Sequence, residues 1–145
     1  WLDRGLYAPS PEEMMVLGLS SNELVARVAR LRIADDTPLA IERAALSARS
    51  LPDPGAVVSS LYAALQATGN RPVRAVQRIS AANLGDIDAR LLEVAPGSAG
   101  LHIERISYLA SGKVIEFTRS IYRGDAYDFV AELRLAEPGD SGAKP

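Results

Sequence analysis

Between Lys113 and Phe129 the chain reads KVIEFTRSIYRGDAYDF, and its polar side chains recur at every second position. A strand sends alternate side chains to opposite faces, so Glu116, Thr118, Ser120 and Tyr122 share one face and Ile115, Phe117, Arg119 and Ile121 the other. One side of this strand therefore carries a carboxylate, two hydroxyls and a phenol. The strand ends in Tyr-Arg-Gly-Asp, where Gly124 can take backbone angles that other residues resist. Such a face serves either as the wet side of a half-exposed strand or as the wall of a site, and the rest of the chain has to decide between them.

Composition removes several classes of function. At 145 residues and 48% hydrophobic, the chain fits one domain with a real core. Its formal net charge of -2, with Lys and Arg scattered along the sequence, gives no general attraction for a phosphate backbone. With no Cys and one His, a disulfide framework, a thiol nucleophile and a zinc cluster are ruled out. Neither a metal nor a cofactor is expected, and no nucleophile–base pair is visible. No apolar run approaches the ~20 residues that span a bilayer, and no signal-peptide pattern opens the chain, so it reads as soluble and cytoplasmic. The first residue is Trp1 rather than Met, which leads to the expectation that an upstream segment was removed.

Trp1 to Tyr7 reads as a short edge strand ended by Ala8-Pro9. Ser10-Pro11-Glu12-Glu13 has the capping-box arrangement that starts a helix, with Met14, Met15, Leu17 and Leu19 as its apolar stripe and Gly18 as its end. Leu24 to Ala34 alternates again, setting Arg30 and Arg32 on one face. After the turn-forming Asp35-Asp36-Thr37, a second strand runs over Pro38–Glu42. Continuity of the apolar side sets Leu31 opposite Ile41, Ile33 opposite Leu39 and Arg30 opposite Glu42. That pairing leaves Arg32 without a partner. Two guanidiniums on one concave face make a fork for a carboxylate or phosphate, although an ordinary ion pair in solvent is the plainer reading.

Residues 45–58 read as a loop. A helix follows, capped by Ser59 or Ser60, with Leu61, Ala64 and Leu65 as its stripe and Gly69 as its stop. Its N-terminus suits an anion, Tyr62 lies in its first turn, and a serine that merely caps its own helix is the alternative. Arg74 to Asn83 reads as a strand, and Leu84-Gly85-Asp86 opens a helix through Leu92. Leu101–Leu109 and Val114–Tyr122 form a hairpin about the two-residue turn Ser111-Gly112. In that register Leu109 faces Val114, Ser107 faces Glu116, Ile106 faces Phe117 and Glu104 faces Arg119. His102 lies on the apolar side, where it reads as structural. Tyr127 to Leu135 reads as a last strand, and Ala136 to Pro145 as a frayed tail.

The order of these motifs, Arg-x-Arg, then Pro-Leu-Ala-Ile-Glu, then Ser-Leu-Tyr at a helix start, then Val-Ile-Glu-Phe-Thr-Arg-Ser-Ile-Tyr-Arg-Gly-Asp-Ala-Tyr-Asp-Phe, resembles the effector-binding (UTRA) domain of GntR-type transcription regulators of the HutC branch. The resemblance covers nearly the whole chain. It implies an α+β fold related to chorismate lyase, with a mixed, mainly antiparallel sheet and flanking helices. It also implies homodimers in which a small metabolite controls DNA binding allosterically. Residues 1–135 would be the effector domain and 136–145 a flexible tail. The winged helix-turn-helix that precedes such domains, through which alone DNA would be bound, is absent from this chain.

Members that bind amino-sugar phosphates hold the phosphate region with residues matching Arg30, Arg32, Ser60 and Tyr62, and surround the sugar with residues matching Glu42, Glu116 and Tyr122. Those members add a phosphate-holding segment before the first strand that this chain does not include, and the same scaffold serves other effectors, so the fold does not choose the ligand. The expected ligand is a small anion, with a sugar phosphate favoured. A chorismate-lyase-like enzyme and a ligand-free dimerisation domain are the alternatives.

Overall fold

The computed structural model describes residues 1–135. Its elements are β1 (Asp3–Tyr7), α1 (Pro11–Leu17), β2 (Val25–Ala34), β3 (Thr37–Ser47), a single 3-10 turn (Pro54–Ala56), α2 (Leu61–Ala67), β4 (Arg74–Asn83), α3 (Asp86–Leu91), β5 (Ala99–Tyr108) and β6 (Val114–Arg123). The strands form one sheet in the order β1-β2-β3-β6-β5-β4, and every pairing in it is antiparallel. This is an α+β fold. Alternation divides its side chains between two faces, except at the bulge where Ser107 and Tyr108 pair with Glu116 and Val114: there Ile115, expected on the face of Phe117, packs instead with Ala26, Val28 and Leu46. On one face α2 and the 3-10 turn cover a core of Ala26, Val28, Leu46, Val57 and Leu65. On the other, Leu17 of α1 packs on Val25, Ala45 and Phe117, and Ala89 and Leu92, at and just after α3, pack on Ile41.

The helix α1 starts where its caps predict. Ser10 Oγ accepts from the Glu13 amide at 3.2 Å, Glu13 Oε2 accepts from the Ser10 amide at 2.7 Å, and Gly18 closes the helix at φ 66°. The capping carboxylate has a second task. It is buried and accepts a two-pronged fork from Arg27 of β2, both contacts at 2.8 Å, which ties the helix to the sheet. Arg119 of β6 reaches Glu12 at 2.9 Å, and Arg43 of β3 holds Asp88 of α3 at 2.7 Å. Of the methionine stripe, Met15 is 80% exposed. A helix of seven residues offers the core one narrow edge, and Met15 is on the other side.

The register of β2 and β3 keeps Leu31 opposite Ile41 and Arg30 opposite Glu42, but a bulge after Arg32 brings Ile33 opposite Pro38 rather than Leu39. Asp35 and Asp36 both take positive φ, the turn geometry that matches strand twist, and this turn sets the hairpin offset. The strand β3 does not stop at Glu42; it continues to Ser47 through what reads as a loop. At the far hairpin the pairs Glu104–Arg119, Ile106–Phe117 and Ser107–Glu116 hold, yet a register shift after Ser107 places Tyr108, not Leu109, opposite Val114. The turn is correspondingly longer, closed by the Leu109 amide on the Lys113 carbonyl at 2.9 Å.

Gly124 is needed for a different reason than backbone angle. Among the described residues the positive-φ glycines are Gly18, Gly69, Gly97 and Gly112, whereas a Cβ on Gly124 would lie 2.8 Å from the Ala99 carbonyl oxygen. Residues 127–135 form no strand, and Phe129, Val130, Leu133 and Leu135 are exposed. The expected tail from Ala136 onward lies outside the described residues.

Burial by itself would raise the Glu13 carboxyl, but the Arg27 fork and the Ser10 contacts outweigh it and hold the group below its ordinary value. A depressed folded pKa stabilises the fold above the unfolded value, and that stabilisation disappears as pH falls through the folded one. Glu13→Gln is therefore expected to cost about 1–3 kcal/mol at pH 7. The difference from wild type should shrink steadily below about pH 4. Urea unfolding of both proteins from pH 7 to pH 3 measures this, and a gap independent of pH would rule out the carboxylate's charge as its source.

Candidate functional site

The sheet face beneath α2 is not filled to its centre. Toward its middle, past the apolar core, lies a cavity of about 280 Å³, close to the lower end of the ~300–1,000 Å³ usual for small-molecule pockets. Its floor is built by alternation. The strand β2 contributes Val28, Arg30 and Arg32, β3 contributes Glu42 and Ala44, β6 contributes Glu116, Thr118, Ser120 and Tyr122, and β5 contributes Ile103 and Arg105. Ser60, Leu61 and Tyr62 at the start of α2 form one wall. Thus Arg30, Arg32, Glu42, Ser60, Tyr62, Glu116 and Tyr122, which lie far apart in sequence, all line one cavity.

Glu42 organises the positive side. Its Oε2 accepts from Arg30 Nε at 2.6 Å, and its Oε1 accepts from Arg32 Nη1 at 3.2 Å and from the Tyr122 hydroxyl at 3.3 Å. The expectation that Arg32 lacks a partner is therefore wrong: a single carboxylate bridges both guanidiniums, because it stands opposite one and diagonal to the other. The side chains of Arg30 and Arg32 remain 41% and 54% exposed, so each keeps N–H groups facing the cavity or solvent. Burial, reinforced by the Glu42 carboxylate, raises the Tyr122 phenol above its ordinary value. At neutral pH it is an uncharged hydrogen-bond donor.

Glu116 is the opposite case. It is buried, with 4% of its surface exposed. Its Oε1 accepts from the Thr118 hydroxyl two residues along the strand, while Oε2 has no partner. Ser107, directly across the hairpin, also has a buried hydroxyl without a partner. An unpaired buried polar atom costs about 1–3 kcal/mol, so the pair is a standing demand for hydrogen bonding in this part of the fold. Ser60 caps α2, its Oγ accepting from the Ala63 amide at 3.3 Å. One of its two lone pairs serves its own helix, and its hydroxyl proton remains for a ligand.

Sequence reasoning missed Arg105. Its Nη1 donates to the Tyr62 hydroxyl at 3.3 Å, and its Nε and Nη2 donate to Gln77 Oε1 at 3.0 and 2.8 Å. The signal was available: a register that sets Glu104 opposite Arg119 sets Arg105 opposite Thr118, on the polar face. Tyr127 was also missed; its ring lies 4.3 Å from that of Tyr122, at the border of the cavity. Three guanidiniums against two carboxylates leave the lining with one net positive formal charge. The site can therefore receive an anion among arginines and a hydrogen-bond donor at Glu116. His102 is not among the lining residues, and among the described residues no cluster of acidic, His or Cys side chains could hold a metal ion. Among the described residues no helix is long and apolar enough to cross a membrane.

A family model described as the UTRA domain matches residues 1–128. The chain is 30% identical over 133 residues to the HTH-type transcriptional repressor NagR of Bacillus subtilis (strain 168), covering 89% of this chain and 54% of that protein. It thus spans about half the length of that relative. Among solved structures, it is similar to the GntR-family transcriptional regulator from Enterococcus faecalis V583, with a TM-score of 0.84 and 28% identity over 91% of this chain and 97% of that one. It is also similar to PhnF from Mycobacterium smegmatis, with a TM-score of 0.85 and 25% identity over 93% of this chain and 61% of that one.

Because burial and the Glu42 carboxylate raise the Tyr122 phenol, Glu42→Gln should lower its titration midpoint while leaving burial in place. Ultraviolet phenolate titration, with Tyr122→Phe identifying the signal, checks this. An unmoved midpoint would remove Glu42 as a cause.

Proposed function

This chain belongs to the UTRA domain family, and on that premise we propose that it is the ligand-sensing part of a GntR-type transcription regulator, with its cavity receiving a small anionic metabolite. One observation carries the reading. Arg30, Arg32 and Arg105 converge on the same cavity as a buried carboxylate whose Oε2 is unpartnered. Guanidiniums recognise the planar or tetrahedral oxygens of carboxylates and phosphates. Glu116 then asks for a hydroxyl or amine on the body of the same molecule. A sugar phosphate meets both demands within a cavity of about 280 Å³.

Residues 1–135 are the sensing domain in this proposal, and a winged helix-turn-helix outside the sequence reads DNA. Two copies pair, as regulators that bind paired half-sites do. The ligand acts by binding one arrangement of the pair better than the other, which shifts the orientation of the DNA-reading domains. The ring of Tyr127 on Tyr122 supplies a contact through which occupancy could be felt, because it joins the cavity border to the chain leaving the sheet.

Thermal unfolding against sugar phosphates, amino and carboxylic acids and fatty acids tests the ligand class. At ~100 times its dissociation constant a ligand adds about 2.7 kcal/mol, several degrees for a domain of this size. A shift with a sugar phosphate is expected, and a shift confined to lipids would overturn the anion site. Arg30→Ala and Arg32→Ala should each abolish that shift. Each should alter the stability of the free protein by no more than about 1 kcal/mol, since both side chains are substantially exposed. Glu116→Gln should weaken the sugar phosphate while sparing the response to inorganic phosphate. Equal weakening of both would detach Glu116 from the body of the ligand.

A further inference from the structure

The cavity that holds Glu42 and Glu116 has a neighbour. Between α2 and the start of β4 lies a second chamber of about 620 Å³, whose lining includes Ser60, Tyr62, Gln66, Arg71, Arg105 and Ser107. Ser60, Tyr62 and Arg105 line both spaces, so the two chambers adjoin. The hydrogen bond from Arg105 Nη1 to the Tyr62 hydroxyl, at 3.3 Å, marks the passage between them.

Charge differs between the chambers. The first sets Glu42 and Glu116 against its three guanidiniums, whereas among the described residues no carboxylate lines the second. Arg71 is exposed and, among the described residues, makes no ion pair. Arg105 donates to the neutral groups of Gln77 and Tyr62. Arg74 borders the chamber too, but its guanidinium lies over the Tyr108 ring, 4.0 Å from its centre, and is engaged there. A cleft lined by one sign of charge concentrates the other.

The buried atoms without partners divide in the same way. Glu116 Oε2 and Ser107 Oγ belong to residues directly opposite each other on β6 and β5, yet Glu116 lines the first chamber and Ser107 the second. An ionised carboxylate only accepts, while a hydroxyl has a proton to donate. The first chamber therefore asks for a donor, and the second offers one to an acceptor. One molecule lying across the boundary meets both.

We infer that the ligand carries an oxyanionic group at each end. One group is held by Arg30 and Arg32. The second, a phosphate or a carboxylate, is held by Arg71, Arg105 and the Ser107 hydroxyl, while a hydroxyl or amine on the body between them donates to Glu116. Strands β2 and β4 stand four spacings apart in the sheet, about 19 Å, which leaves room for a sugar between two acidic groups. A sugar bisphosphate or a phosphorylated sugar acid has this form. The inference rests on the small-anion reading proposed above and adds a second acidic group to it.

Calorimetric titration of the 145-residue chain with glucose and glucosamine 6-phosphates, and with the corresponding 1,6-bisphosphates, tests this. A bisphosphate should bind about tenfold or more tightly than its own monophosphate. Arg71→Ala should remove that advantage and leave the monophosphate's affinity as it was. Inorganic phosphate should bind the monophosphate complex, in the second chamber, and should not bind the bisphosphate complex. Monophosphate binding with no gain from the second phosphate, or a gain that survives Arg71→Ala, would overturn the second anionic group and leave the small-anion reading standing. Undiminished binding of inorganic phosphate to the bisphosphate complex would show a separate phosphate site and overturn the spanning ligand. No binding of any of these sugar phosphates or of inorganic phosphate would overturn the small-anion reading itself, and the second chamber's role with it.

Discussion

The placement of β6 between β3 and β5 decides everything that happens at the site. Both neighbours hold it antiparallel, and from Glu116 onward its odd and even residues answer to opposite environments. Phe117 is pressed against the helix α1, while Glu116, Thr118, Ser120 and Tyr122 line the cavity. A slip by one residue would drive a carboxylate and a phenol under the helices and turn Phe117 toward the ligand. The apolar face therefore locks the polar face, and the cavity needs no dedicated scaffold of its own. Arg30 and Arg32 on β2, and Glu42 on β3, are fixed in the same way, by the Leu31–Ile41 pair beneath them.

Electrostatically the cavity is kept in balance. The two arginines of β2 share Glu42, which also accepts from Tyr122, so three groups that could bind a ligand are held in place by one carboxylate. Arg105 is held instead by neutral partners, Gln77 and Tyr62. Among the described residues no direct ion pair compensates its charge. The anion proposed as ligand would meet two guanidiniums already shared with Glu42 and one that is not.

Much of this was legible in the sequence because alternation is a strong signal wherever one face is wet. The pairs Arg30–Glu42, Leu31–Ile41 and Ser107–Glu116 follow from keeping the apolar side continuous, and all three occur. The capping box of α1 and the bounds of β4 also read directly from residue type. The failures have physical causes. The strand β3 beyond Glu42 is covered on both faces, with Ala45 and Leu46 both buried, so its pattern is a run rather than an alternation. The bulge after Arg32 comes from a turn with positive φ at two aspartates, which nothing in the flanking pattern announces. Residues 127–135 alternate as cleanly as any strand, but a strand exists only where an edge receives it, and within the chain this segment pairs with none.

The sheet order has a temporal meaning as well as a spatial one. The hairpins β2–β3 and β5–β6 each join near neighbours in sequence, while β3 meets β6 across a separation such as that of Glu42 and Tyr122, 80 residues apart. Loop-closure entropy makes such distant pairings the slow ones. The cavity is divided along that seam, with Arg30, Arg32, Glu42, Ser60 and Tyr62 before it and Arg105, Glu116 and Tyr122 after it. Neither hairpin alone encloses the cavity, so its lining is complete only when the two halves of the chain have docked.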